Sequence, residues 1–321
     1  MSDELLGELD SIPEEYQKED SVQERPSWRE RLVKDLFSNW IRILSLGIIV
    51  VVVAMALFAP IIAPHSPDET FELFNPPDSH SVGDYDGDSV EEEVYHPLGT
   101  DSFGHDILSR IIFGARISLL VAVATVSIAA VVGSSIGMVA GYYGGWIDNL
   151  LMRYIDFQWA FPQIILAIAI IAFIGGLGVL NVIIAITVGY FVNFARIMRG
   201  EVLSLREEEY IKAARTIGAS DARIMTKEIL PNAVAPLIVE ITVLLPLAIL
   251  WEASLSFLGL GVRPTTPTWG LLIAGGRGYI SSNWWITVMP GIAILLTALS
   301  FNIIGDVLRD TFDVTEQVEG K

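Results

Sequence analysis

The chain has 321 residues, 52% hydrophobic and 18% charged, short of the ~25% charged share usual for soluble domains. Its 38 acids outnumber 20 bases for a net charge of −18, and phosphate contacts need clustered Lys and Arg, so nucleic acid is excluded as a partner. The absence of cysteine excludes disulfides, thiolate metal sites and Cys nucleophiles, while the acid excess, with only five lysines, suits surfaces adapted to high salt.

Met1 to Glu24 is acidic and polar and is expected to lack fixed structure. An acidic start followed by a late apolar run does not make a signal peptide. From Trp28 the pattern changes: Trp28, Leu32, Leu36 and Trp40 recur every fourth residue, with Arg29, Arg31 and Lys34 between them. That spacing predicts an amphipathic helix in the membrane interface, or equally the end of a tilted span. Six spans are predicted near Leu44–Ala63, Ser118–Val139, Trp159–Ile174, Val179–Ala195, Val234–Leu255 and Trp284–Ile304, the third and fourth short and joined by a tight reversal at Gly175-Gly176-Leu177-Gly178. The expected organisation is a tail and interfacial helix over 1–40, a first span over 41–63, an outer acidic loop over 64–116, a core over 117–310 and a C-terminal tail over 311–321. With the N-terminus inside, sixteen of the 20 bases fall in inner segments and only Arg110, Arg116, Arg263 and Arg277 lie outside. The positive-inside rule therefore places both termini in the cytoplasm.

The outer loop holds all four histidines, His65, His80, His96 and His105, and twelve acids, including Asp84, Asp86, Asp88 and Glu91 to Glu93. No metal-ligand spacing such as His-x₃₋₅-His occurs in it, so it reads as a solvated acidic loop without a metal rather than a metal-binding apron. In the second span Ala129, Gly133, Gly137 and Gly141 fall on one helical face, the pattern of a close helix–helix contact within the chain or with a partner. Intramembrane charge is scarce. Glu240 lies mid-span and is a candidate for the substrate path, or is hydrogen-bonded to a neighbour such as Asn193. Glu252, near the outer end of the same span, reads as packing or part of an outer gate. Asp306, Arg309 and Asp310 at the inner end of the last span are expected to form an ion-pair network against the inner loop.

The inner loop, 196–232, carries the strongest signal. Propensity gives a short helix from Glu208 to Ile217, a break at Gly218, a second helix capped by Ser220 that runs to Leu230, and entry to the next span at Pro231. Its exposed end presents small residues, Ala213, Ala214, Gly218 and Ala219, with Lys212 and Arg215 beside them. A groove on another protein can approach such a surface closely, and its acids can pair with the bases.

This segment resembles the coupling-helix motif of ATP-binding-cassette (ABC) importer permeases, whose signature is Glu-Ala-Ala, a glycine and then Leu-Pro. Here Lys212-Ala213-Ala214 fills the first part, with Lys in place of the leading Glu, and Gly218 and Leu230-Pro231 fill the rest. The string from Glu209 through Arg215 to Asp221 is similar to the form found in peptide permeases. His96 to Asp101, Gly104 to Asp106, Gly114 to Ser118, Glu252 to Gly261, Thr268 to Gly270 and Asn302 to Asp310 extend the resemblance to C-type subunits of the dipeptide/oligopeptide (peptide/nickel) family. Asp313-Val314 stands where that family usually has Asp-Pro, and the first ninety residues resemble it little beyond the first span.

The resemblance implies an all-α, polytopic integral membrane protein with six transmembrane helices and the type I importer permease fold. It implies a heterodimer with a homologous second permease, two cytoplasmic ABC ATPases docked on the coupling loop, and an extracytoplasmic substrate-binding protein. No catalytic residue and no cofactor belong to this chain; ATP and Mg would sit on the partner ATPases, since G-x-x-x-x-G-K-[ST] is absent from the sequence. The alternatives are the same assembly importing nickel or an oligosaccharide, an ion-gradient-driven secondary transporter, and a receptor or scaffold.

Overall fold

The computed structural model describes residues 28–85 and 92–319, and the side chains of 30–85 and 93–312. The expectations for Met1–Glu24 and for Asp86, Asp88 and Glu91 lie outside the described residues. Helix α1 (Trp28–Leu36) packs against the end of the last helix. Helix α2 (Trp40–Ile62) is capped by Asn39, whose Oδ1 accepts from the Ile41 N–H at 3.0 Å. Pro60 removes a ladder hydrogen bond inside α2, and the chain kinks at Phe58.

Helix α3 (Ile107–Tyr143) has 37 residues. At ~1.5 Å per residue it is about 55 Å long, against ~30 Å for the hydrocarbon core. It begins eleven residues before the apolar run at Ser118. The Asp106 carboxylate accepts from the Ser109 N–H at 2.8 Å, and Arg110, on the first turn, pairs with Asp101 at 2.7 Å. Those two contacts let the helix start in polar sequence.

Among the described residues, five helices are long and apolar enough to cross a membrane: α2, α3, α6 (Val179–Leu205), α9 (Val234–Phe257) and the membrane part of α11 (Trp285–Glu319). The sixth is a broken pair, α4 (Gly145–Trp159) and α5 (Gln163–Ile174), bent by 95°. The continuous third span expected over Trp159–Ile174 is thus corrected. Pro162 disfavours helix at Phe161 and lacks the N–H that would continue the ladder, so α5 starts afresh and its 12 residues reach only ~18 Å. Gln158, buried at the end of α4, donates to the Val188 carbonyl of α6 and fastens the bend.

The core lies between α3 and α6. Gly133, Gly137 and Gly141 of α3 face Phe191, Ala195 and Val202 of α6. A Cβ at Gly133 would stand 2.7 Å from Phe194 Cβ, and one at Gly141 would stand 2.8 Å from Val202 Cβ. The small-residue stripe is therefore a seam within the chain. Without a hydrophobic drive in lipid, such backbone contact is what holds helices together.

The segment between α2 and α3 is folded, not merely solvated. Strands β1 (Ser79–Gly83) and β2 (Glu92–His96) pair antiparallel, Ser79 opposite His96. The segment is tied to the bundle by the Trp285 indole, which donates to the Thr100 carbonyl at 3.2 Å. At the same end the short helix α10 (Trp269–Gly276) tucks in, with the Trp269 indole donating to the Ile111 carbonyl at 2.9 Å.

Candidate functional site

The protruding loop joins α6 to α9. Helix α7 (Glu209–Thr216) starts after Glu208, with Glu209 in its first turn and Arg215 in its last, both complementing the helix dipole. It ends in a Schellman motif: the Gly218 N–H bonds the Arg215 carbonyl and the Ala219 N–H bonds the Ala214 carbonyl, each at 3.0 Å. The motif needs a left-handed residue, and Gly218 supplies it at φ +83°. Ser220 takes the N-cap position of α8 (Asp221–Arg223), yet its hydroxyl makes no capping bond. The second helix runs on as a π turn, Ile224–Ile229, with the Leu230 N–H reaching back to the Met225 carbonyl at 2.9 Å. Such turns concentrate at functional sites.

This loop is pinned to the end of α3. Tyr142 donates to Asp221 at 2.7 Å, the Arg215 guanidinium lies 5.1 Å over the Tyr142 ring, and Arg206 donates to the Gly141 carbonyl at 2.8 Å. Ile211, Ile224 and Ile229 are fully buried beneath it. Arg215, expected beside the small residues, lies over this aromatic ring and stays exposed. Lys212 is exposed and approaches Glu207 at 3.9 Å, a surface pair worth little. Tyr210 is raised above the ordinary phenol pKa by burial and by the charges of Glu208 and Glu228.

The outward surface includes exposed Glu209, Lys212, Ala213, Arg215, Gly218, Leu230 and Pro231, with half-buried Ala214 and Ala219 at its edge. Sequence reasoning missed its most prominent member, Ile217, which is 85% exposed. The signal was available: at ~100° per residue Ile217 sits about 240° around α7 from buried Ile211. An exposed isoleucine on a rigid, capped turn is suited to a partner's apolar pocket.

Within the bundle, Asn193 of α6 and Glu240 of α9 are brought within reach of one another. Glu240 also lines a cavity of about 440 Å³ with Arg196 and Arg309. The ion-pair network expected at the end of the last helix does not form among the described residues. Asp306 and Asp310 are exposed, and Arg309 faces Glu240 instead. Glu252 is fully buried and accepts from Ser256 at 2.7 Å and Ser118 at 3.0 Å, which binds α9 to α3.

At the opposite end, a directed chain of hydrogen bonds holds the hairpin. Asn75 donates to Ser81 Oγ at 2.8 Å, and Ser81 Oγ meets His96 Nε2 at 3.0 Å. His96 Nδ1 meets Asp106 at 3.0 Å, and Asp106 caps α3. With Asp106 accepting on both sides, His96 Nδ1 carries the proton and Nε2 accepts from the serine hydroxyl. The order is that of a hydrolase triad, but Ser81, His96 and Asp106 are all fully buried, so these bonds fasten and no substrate reaches them. His65 joins His96 and Asp106 with one ligating atom each within 4.8 Å, a convergence that their irregular sequence spacing concealed. Both His96 nitrogens are already occupied in the fastening chain. Beside it, Asp101 accepts from His105, Phe103 and Arg110. Burial acts to raise its carboxyl, but the hydrogen bonds and charge of His105 prevail and hold it below the ordinary aspartate value.

Comparison with known proteins agrees with this architecture. Residues 133–313 match the family described as binding-protein-dependent transport system inner membrane component. Residues 27–77 match the N-terminal transmembrane domain of oligopeptide transport permease C, so likeness in the first ninety residues reaches well beyond the first span. A dipeptide transport system permease protein of Alkalihalophilus pseudofirmus is 43% identical over 92% of this chain and 92% of its own length. A di/tripeptide transport system permease of Pseudomonas aeruginosa is 41% identical over 82% of this chain and 84% of its own. A glutathione transport system permease of Escherichia coli is 42% identical over 83% of each. Among solved structures, the methionine ABC transporter MetNI in an inward-facing conformation superposes with a TM-score of 0.52 at 20% identity, over 64% of this chain and 97% of that one, which speaks to the fold alone. The chain belongs to the family of binding-protein-dependent transport system inner membrane components.

Proposed function

We propose that this chain is one of two membrane-spanning permease subunits of an ATP-driven importer of dipeptides or oligopeptides. Its partner is a homologous second permease, and two cytoplasmic ABC ATPases dock on the α7 loop. An extracytoplasmic binding protein delivers the substrate at the end that carries the hairpin. The asymmetry of Lys and Arg supports an orientation with both termini and the α7 loop in the cytoplasm. The chain hydrolyses no ATP itself.

The observation that carries this reading is the α7 loop, with its small-residue face and exposed Ile217, held rigidly on α3 by Tyr142, Asp221 and Arg206. A loop so fixed passes a push from a docked ATPase to α3, α6 and α9 instead of flexing. ATP binding draws the ATPases together, the docked loops follow, and the permease halves rock about the path between them. Peptide cargo is supported by the dipeptide and di/tripeptide permeases among the relatives. Glu240 and Asn193 are proposed to line the substrate path, since an ionisable side chain at that depth normally serves a water-filled cavity.

The test is a mild-detergent pull-down of the tagged chain from its own host, followed by mass spectrometry. Recovery of two ATPases and a second six-span permease is the expected result. A chain recovered alone, or only with itself, would overturn the docking role and favour a gradient-driven transporter.

A further inference from the structure

The cavity that holds Glu240 sits where the two ends of the α7 loop enter the bundle. One wall is the last part of α6, with Arg196 and Glu201, just before the loop. A second is the first two turns of α9, with Pro236 and Glu240, just after it. Arg309 and Phe312 of α11 close the third side. At about 440 Å³ the space falls within the ~300–1,000 Å³ of small-molecule sites. Glu240 and Arg309 both line the space, and among the described residues the two do not close into an ion pair. Arg196 is already committed, to Asp156 at 2.6 Å and to the Trp159 ring at 4.0 Å. What remains is a carboxylate and a guanidinium facing each other across a gap at the roots of the loop.

We propose that this cavity binds a zwitterion from the cytoplasmic side, its ammonium on Glu240 and its carboxylate on Arg309, and that an occupied cavity slows the ATPase cycle. The inference rests on the permease reading above and deepens it, because a translocated peptide is such a zwitterion. A ligand joined to both α9 and α11 against the α6 wall resists the relative motion of the two helices that feed the loop. Product accumulating inside thereby restrains further import. A zwitterionic lipid headgroup offers the same pair of charges, but we assign the site to the soluble peptide. Two acids and two arginines are among the side chains that line it.

The experiment uses the whole complex in nanodiscs of phosphatidylglycerol, with ATPase activity stimulated by loaded binding protein. If no stimulation occurs, it is the permease reading that has failed. Given stimulation, excess alanylalanine is expected to lower the rate, and its N-acetylated, amidated counterpart is expected to leave it unchanged. Glu240→Gln and Arg309→Gln should each raise the half-inhibiting concentration at least tenfold, relative to each variant's own uninhibited rate. Three outcomes would overturn the proposal: no inhibition by alanylalanine, equal inhibition by the capped peptide, or an unchanged half-inhibiting concentration in both variants. A rate insensitive to alanylalanine but lowered by added phosphatidylethanolamine, in a manner lost in both variants, would give the cavity to lipid and also overturn it.

Discussion

Gly137→Ala probes the α3–α6 seam most directly. A methyl group there meets the Ala195 carbonyl and stands 3.0 Å from the Arg199 nitrogen, whereas carbon contacts settle near ~3.5–4.0 Å. The obstacle is backbone held in α6's own hydrogen-bond ladder, so no side chain can rotate away, and the helices must part by several tenths of an ångström or more. Overpacking costs about 1–3 kcal/mol, and a backbone obstacle places this site at the upper end. Ala for Gly returns about 1 kcal/mol of helix propensity, which leaves a net loss of about 2 kcal/mol. At roughly 2–4 °C per kcal/mol, the midpoint of thermal unfolding in detergent, followed by tryptophan fluorescence, should fall by ~4–8 °C. Gly47→Ala and Gly291→Ala are the controls, since a Cβ at either meets nothing within 4 Å; they should hold the midpoint or raise it. If Gly137→Ala matched these controls, the seam would not be the close contact described.

Three further outcomes are expected. Ile217→Asp changes a side chain that is 85% exposed; it should leave the unfolding midpoint unchanged and reduce co-purified ATPases by about tenfold or more, the scale of an interface hot spot. Glu252→Ala strips the acceptor from buried Ser118 and Ser256 and should cost about 2–6 kcal/mol at ~1–3 kcal/mol per stranded group, while Glu252→Gln, which keeps an acceptor, should cost measurably less in the same melt. Because Asp101 is held below its ordinary value in the folded chain, its stabilisation is present above the unfolded aspartate pKa of ~3.9 and is lost as pH falls through the lower folded value. Unfolding of the wild type below about pH 4 should therefore be steeper than that of Asp101→Asn, and equal slopes would remove Asp101 from the account.

The α7 loop was legible because each of its devices is local: a small-residue helix, a glycine stop and a Leu-Pro entry all lie within one short stretch. The spans were legible because apolar length has a fixed relation to bilayer thickness. What escaped was set by contacts distant in sequence. Asn75, Ser81, His96 and Asp106 form one fastening through partners up to 15 residues of chain apart, and no periodicity records that. The Tyr142 ring beneath Arg215 is of the same kind, since nothing near Arg215 in sequence announces a ring on α3. The broken third span is a different case: Pro162 was in plain view, but the hydropathy of α5 outweighed it.

The length of α3 joins the two ends of the molecule. Its first turn is anchored by Asp106, inside the hairpin's fastening, and its last turn bears Tyr142, under the α7 loop. No proline interrupts it between those points, so it behaves as a stiff rod with a load at either end. Its close approach to α6, the seam around Gly137, makes a natural fulcrum, with ~9 Å of helix on the loop side and ~45 Å on the hairpin side. A tilt of ~10° about that point carries the loop end roughly 1.5 Å and the hairpin end roughly 8 Å, in opposite directions. A push on the loop at one end would then arrive at the hairpin reversed in sense and enlarged in size. One continuous lever can in this way open one side of the membrane as it closes the other.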